Sequence, residues 1–126
     1  MPSKMQIHTD RAPKPVGPYS QGIIYGELVF SAQIGLDPAT DKIVGPDIES
    51  QTRQTLQNIA AILEAGGTSL AGALKVTVFL ADLDDFDSMN RVYAGFFPTD
   101  PPARATIEAK RLPLDVLIEI ECIAGR

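Results

Sequence analysis

The chain has 126 residues, 44% of them hydrophobic and 21% charged, with a formal net charge of -5. That is the usage of an ordinary globular domain with one core, which excludes a disordered or collagen-like chain. The acidic balance and the scattered Lys and Arg also argue against a nucleic-acid partner, because that affinity rests on clustered cations neutralising phosphates.

Residues 1–18 are polar and carry Pro13, Pro15 and Pro18, which predicts an extended arm laid over the domain, neither helix nor sheet. Ile23-Ile24-Tyr25 and Leu28-Val29-Phe30 flank Gly26-Glu27 and read as a tight hairpin, its second strand running on to Ile34. Asp37 to Asp41 is rich in turn residues, and Ile43-Val44 adds a brief edge strand. Asp47 is a candidate N-cap for an amphipathic helix that runs to about Ala65 and stops at Gly66-Gly67. Leu74 to Ala81 alternates Val76, Val78 and Leu80 with Lys75, Thr77 and Phe79, the pattern of a strand with one buried face. Asp82 or Asp84 caps a second helix. Its stripe of Phe86, Met89, Asn90, Tyr93, Phe96 and Phe97 faces the core, and Pro98 and Pro101-Pro102 end it. Ala105 to Ala109 and Leu117 to Ala124 are closing strands, linked through Leu112 to Asp115. The order β-β-α-β-α-β-β predicts a single α+β domain over 1–126, a mixed sheet with both helices on one face. The other face retains apolar residues such as Phe79, which predicts association of copies around an axis.

No segment approaches the ~20 apolar residues that span a bilayer, and Met1 to Asp10 lacks the apolar run of a signal peptide. The expected setting is the cytoplasm, with no membrane partner. Cys122 is the only cysteine and His8 the only histidine. An internal disulfide, a Ser-His-Asp triad and a His/Cys metal site are therefore not expected. Cys122 falls on the isoleucine face of its strand, where a buried, inert thiol is the natural reading.

Arg104 is the strongest candidate for chemistry. Its guanidinium is a permanent cation with a rigid fork of donors that matches a carboxylate, and Pro101-Pro102 stiffen the chain before it. In Ile118-Glu119-Ile120-Glu121, alternation puts both glutamates on the face opposite the isoleucines. If the two closing strands pair, Arg104 and Glu119 meet, and two readings stay open. One is a structural ion pair. The other is a small-acid site in which Arg104 anchors a carboxylate and Glu119 orients or deprotonates a water. Tyr19 follows the stiff Gly17-Pro18 and is either core or site wall, and Ser31 is either an ordinary strand hydroxyl or a donor to a bound carboxylate. Asn90 reads as a helix-surface or capping amide.

Four segments in order, Gly17-Pro18-Tyr19-Ser20-Gln21, Ser31 to Pro38, Pro102-Ala103-Arg104, and Leu112-Pro113 with Ile118 to Glu121, resemble the RidA (YjgF-type) family of imine and enamine deaminases, from about Ala12 to Ala124. The resemblance implies a chorismate-mutase-like fold and a homotrimer with three clefts between subunits. It implies hydrolysis of 2-iminobutanoate and 2-iminopropanoate to 2-keto acids and ammonia, with no cofactor. It assigns Arg104 to the substrate carboxylate and Glu119 to the attacking water, with Tyr19, Ser31 and Asn90 lining the site. Ala32 replaces the family's glycine in Ser-Gly-Gln, and Thr106 stands where some members have cysteine. The interval from Tyr19 to Ser31 is one residue short, which reverses the parity of Ser31 unless a bulge or turn absorbs it. Two other functions remain: a non-catalytic 2-keto acid binding or regulatory protein, which needs Arg104 but not Glu119, and an endoribonuclease or translation inhibitor, which suits an acidic chain without a histidine pair least.

Overall fold

The computed structural model describes residues 2–126, arranged on a mixed six-stranded sheet. The strands are β1 (Lys4–Ile7), β2 (Gly22–Tyr25), β3 (Leu28–Ile34), β4 (Ala73–Leu80), β5 (Ala103–Glu108) and β6 (Ile118–Gly125). They lie in the order β1-β2-β3-β6-β4-β5, with β4 and β5 parallel and every other neighbour antiparallel. Helices α1 (Ile48–Ala65) and α2 (Phe86–Phe96) supply the covering layer. Alternation decides the two faces. Val29 of β3, Val76, Val78 and Leu80 of β4, and Ile118, Ile120, Cys122 and Ala124 of β6 are buried in one cluster with Leu56, Ile59, Ile62 and Leu63 of α1 and Met89 and Tyr93 of α2. The alternate positions, among them Phe30, Lys75 and Glu121, remain exposed. The β4-α2-β5 crossover accounts for the parallel pair, since a parallel connection needs a covering element.

The hairpin turns at Gly26 with φ of 60°, a left-handed conformation that costs glycine nothing. Helix α1 starts as its sequence predicts, with the Asp47 carboxylate accepting from Ser50 N at 2.9 Å. Asp82 instead caps the 3-10 turn Leu83–Asp85 that leads into α2, accepting from Asp84 N. Ile43 makes a single bridge to Leu36, so the brief edge strand expected there is absent from the sheet.

Residues 1–18 are not wholly an arm. Lys4–Ile7 pairs antiparallel with β2, which makes the order β-β-β-α-β-α-β-β. The physical reason is the edge of β2, whose backbone groups would otherwise lie unpaired, together with Ile7, which the core buries. Pro13, Pro15 and Pro18 come only after this strand. The buried side chain of Gln21 then holds the irregular stretch, donating to Thr9 O, Ala12 O and Pro13 O while accepting from Thr9 N.

Two amides of α1 fix the segments on either side of the site. Gln51 accepts from Leu117 N and donates to Gly45 O, both at 2.8 Å. Asn58 donates to Ile34 O at 3.1 Å and Leu36 O at 2.9 Å. Gly35 lets this loop lie on the helix, since a Cβ there would come 2.8 Å from Gln51 O. Asn58 is fully buried and Ile34 O also accepts from Leu36 N, so Asn58→Ala should leave Leu36 O without its partner and cost about 1–3 kcal/mol. Urea unfolding measures this, and an unchanged midpoint would mean that the amide holds nothing in place.

Candidate functional site

Glu119 leaves β6 on the uncovered face, level with Ile34 of β3 and Phe79 of β4. It borders a cleft of about 720 Å³ whose wall includes Tyr19, Ser31, Leu36, Pro113 and Glu121. Burial pushes the Glu119 carboxyl up from its ordinary value, and the like charge of Glu121 pushes it the same way. Among the described residues neither glutamate has a salt-bridge partner. A carboxylate raised by desolvation and without a cation can accept a proton from water more readily than an ordinary one.

Tyr19 sits on the rim, 55% exposed. A tight turn, with Tyr19 N donating to Gly17 O and Val16 N donating to the Tyr19 hydroxyl, sets its direction. Ser31 contributes wall, but its hydroxyl donates to Gln21 O at 3.0 Å. No bulge interrupts the β2–β3 register. Ser31 therefore keeps the buried parity of Val29 and Gln33, while Ala32 and Ile34 take the parity of Glu119.

Arg104 lies elsewhere. It pairs with Val76 in the β4–β5 register, and partners in register share a face, so its side chain stands on the helix side of the sheet. The guanidinium carbon is 4.6 Å from the centroid of the Tyr93 ring and 5.6 Å from that of Phe86. Its Nη1 donates to Met89 Sδ at 3.9 Å. Asn90 is half-buried on the same helix and is not part of the cleft wall. The pairing of the two closing strands, and with it the ion pair of Arg104 and Glu119, is corrected by this topology. β4 lies between β5 and β6, which sets those strands about 10 Å apart, and the two side chains stand on opposite faces. With β5 on one side of β4, β6 fills the gap between β3 and β4, a long-range choice that neighbouring segments in the chain do not announce.

Around Arg104 the stripe on α2 proves to be more than core. Tyr93 is 6% exposed and its ring stacks on Phe97 at 4.6 Å, whereas Phe86, at the first turn, is 38% exposed. Among the described residues the Tyr93 hydroxyl and Thr106 Oγ1 are buried without a hydrogen-bond partner of standard geometry. Burial raises the Tyr93 phenol, and the Arg104 charge works against that rise. Cys122 is a buried free thiol pushed up to about 11, far from the thiolate state that reactivity requires. Among the described residues no helix is long and apolar enough to cross a membrane.

Comparison with known proteins places this geometry. A family model described as Endoribonuclease L-PSP matches residues 9–125. A RutC family protein of Pyrococcus horikoshii is 57% identical over 122 residues, spanning 96% of this chain and 97% of the relative. The chloroplastic Reactive Intermediate Deaminase A of Arabidopsis thaliana is 47% identical over 122 residues, spanning 96% of this chain and 65% of the plant protein. The crystal structure of E. coli TdcF with bound serine matches at a TM-score of 0.93 and 44% identity, covering 97% of this chain and 98% of TdcF.

Proposed function

We propose that this chain, which belongs to the endoribonuclease L-PSP family with the RutC and RidA (YjgF-type) proteins, hydrolyses reactive 2-imino acids such as 2-iminobutanoate and 2-iminopropanoate to 2-keto acids and ammonia. The observation that carries the reading is a pair of charges without a salt-bridge partner among the described residues: a desolvated Glu119 in an open cleft and an Arg104 guanidinium with no carboxylate. The name of the plant relative supports a deaminase. The serine bound to TdcF carries a carboxylate beside a carbon bonded to nitrogen, the groups this substrate class presents.

One copy cannot bring Arg104 to Glu119, so the reading includes a homotrimer in which Arg104 of one copy faces the Glu119 cleft of the next. The uncovered face favours such packing, with Phe30, Leu74 and Ile107 exposed on or beside it. In that cleft Arg104 anchors the substrate carboxylate, and Tyr19 and Asn90 flank the substrate. Ser31 adds wall. Glu119 takes a proton from water as its oxygen bonds to the imine carbon. The carbon–nitrogen π pair moves to nitrogen, which is protonated, and the resulting carbinolamine collapses as the carbon–nitrogen bond breaks. The products are a 2-keto acid and ammonia, with the proton balance closed through Glu119. The chemistry calls on no cofactor, because an imine beside a carboxylate is already electrophilic.

The test generates 2-iminobutanoate in situ and follows 2-oxobutanoate and ammonia. Release faster than in buffer is expected. A rate equal to buffer overturns the deaminase and leaves the 2-keto acid binding protein as the reading.

A further inference from the structure

We propose that Phe86, Met89 and Tyr93 form a cradle on α2 that fixes the direction of Arg104, with Tyr93 as its positioning residue. This rests on the reading of Arg104 as a carboxylate anchor. The three residues fall at i, i+3 and i+7, one face of the helix. Their contacts with the guanidinium are of a particular kind. Two are ring contacts, at 4.6 Å and 5.6 Å from the centroids, and the third is a thioether sulfur. A ring attracts the cation through its flat face and uses none of the in-plane donors, whereas a carboxylate would occupy the fork and neutralise it. Most of the Arg104 donors therefore stay available to a ligand.

Arginine is long and rich in rotamers, and on the edge strand β5 nothing in the sheet would hold it. Immobilising such a side chain upon binding weakens affinity unless the free protein has already ordered it. Tyr93 is suited to that role because its own ring is locked, buried and stacked on Phe97. Among the described residues its hydroxyl makes no hydrogen bond of standard geometry, although Arg104 lies near enough to lower the phenol, so the ring face is the main contact. Phe86 is the second indication: an aromatic residue left 38% exposed at the start of α2 has little core to fill, yet it lies over Arg104.

Isothermal titration with 2-oxobutanoate, beside steady-state kinetics on 2-iminobutanoate, tests the cradle. Tyr93→Leu should weaken 2-oxobutanoate binding about tenfold and raise KM by a similar factor, with kcat changed less. Tyr93→Phe, which keeps the ring, should recover most of that loss. Phe86→Leu, at a position 38% exposed, should weaken binding about threefold. Unchanged affinity in Phe86→Leu and Tyr93→Leu overturns the proposal, and if Tyr93→Leu does not fold, Phe86→Leu decides alone. A Tyr93→Phe defect as large as that of Tyr93→Leu overturns it too, by assigning the effect to the hydroxyl. The calorimetry separates this inference from the deaminase reading. A wild type that turns over no imine but binds 2-oxobutanoate refutes only the latter, and one that binds no 2-oxobutanoate refutes the cradle.

Discussion

Arg104→Ala is expected to lower kcat/KM for 2-iminobutanoate by about 10²–10³-fold while thermal unfolding and assembly stay close to wild type. Truncating one partner of a desolvated charge pair costs about 2–5 kcal/mol, and each 1.4 kcal/mol is roughly tenfold. The fold should tolerate the change because the side chain sits on the edge strand and has no carboxylate partner among the described residues. Unchanged turnover in a dehydratase-coupled assay would sink the anchor role. The opposite-face geometry adds a sharper version. If each cleft takes Arg104 from one copy and Glu119 from another, Arg104→Ala and Glu119→Gln subunits are each inactive alone. Unfolding and refolding them together at equal ratio should restore activity at about a quarter of the interfaces, those that draw an intact residue from each side. A mixture as inactive as its components would mean that no cleft is shared between copies.

Why the separation of Arg104 from Glu119 within one copy was hidden in the sequence is a matter of range. Helix α1 was legible because its determinants are local: Asp47 caps it, Ile48, Leu56, Ile59 and Ile62 repeat at helical spacing, and Gly66 ends it. The parity of β6 was legible for the same reason, with Ile118, Ile120 and Cys122 inward and Glu119 and Glu121 outward. Pairing is not local. Placing β6 between β3 and β4 depends on which edges remain after the α2 crossover, and no residue in Ile118 to Gly125 encodes its neighbour. Lys4 to Ile7 is similar, a four-residue strand recruited by the free edge of β2. The α2 stripe shows a different limit. Phe86, Met89 and Tyr93 have the periodicity of core, and they are core at Met89 and Tyr93, but only the β4–β5 register reveals that the same face meets a cation. Ser31 could be read from the sequence as either a strand hydroxyl or a ligand donor; the fold shows its hydroxyl donating to Gln21 O.

Glu119→Gln should separate binding from chemistry: 2-oxobutanoate affinity is retained while kcat falls by about 10²–10⁴-fold, the usual contribution of a positioned base. Joint loss of both would assign Glu119 to structure. The pH dependence gives a second handle. Within one copy, burial first, and then the charge of Glu121, raise the Glu119 pKa above the ordinary glutamate value. Loss of the active carboxylate on acidification sets the acid limb of the rate profile. Glu121→Gln removes the like charge and should move the limb to lower pH. An Arg104 supplied by a neighbouring copy would draw the pKa down in both proteins, so the sign of the Glu121→Gln shift survives assembly. A limb that stays put, or moves up, would detach it from Glu119. Stability should run the other way. A group whose folded pKa is raised stabilises the fold while protonated, and that contribution is lost as pH rises through the folded pKa. With Arg104 replaced by alanine, so that no neighbouring guanidinium offsets the charge, an ionised Glu119 without a partner among the described residues is a cost at neutral pH; Glu119→Gln, which lowers activity, should therefore raise Tm in that background. That opposition is what a residue kept for chemistry predicts and a structural ion pair does not.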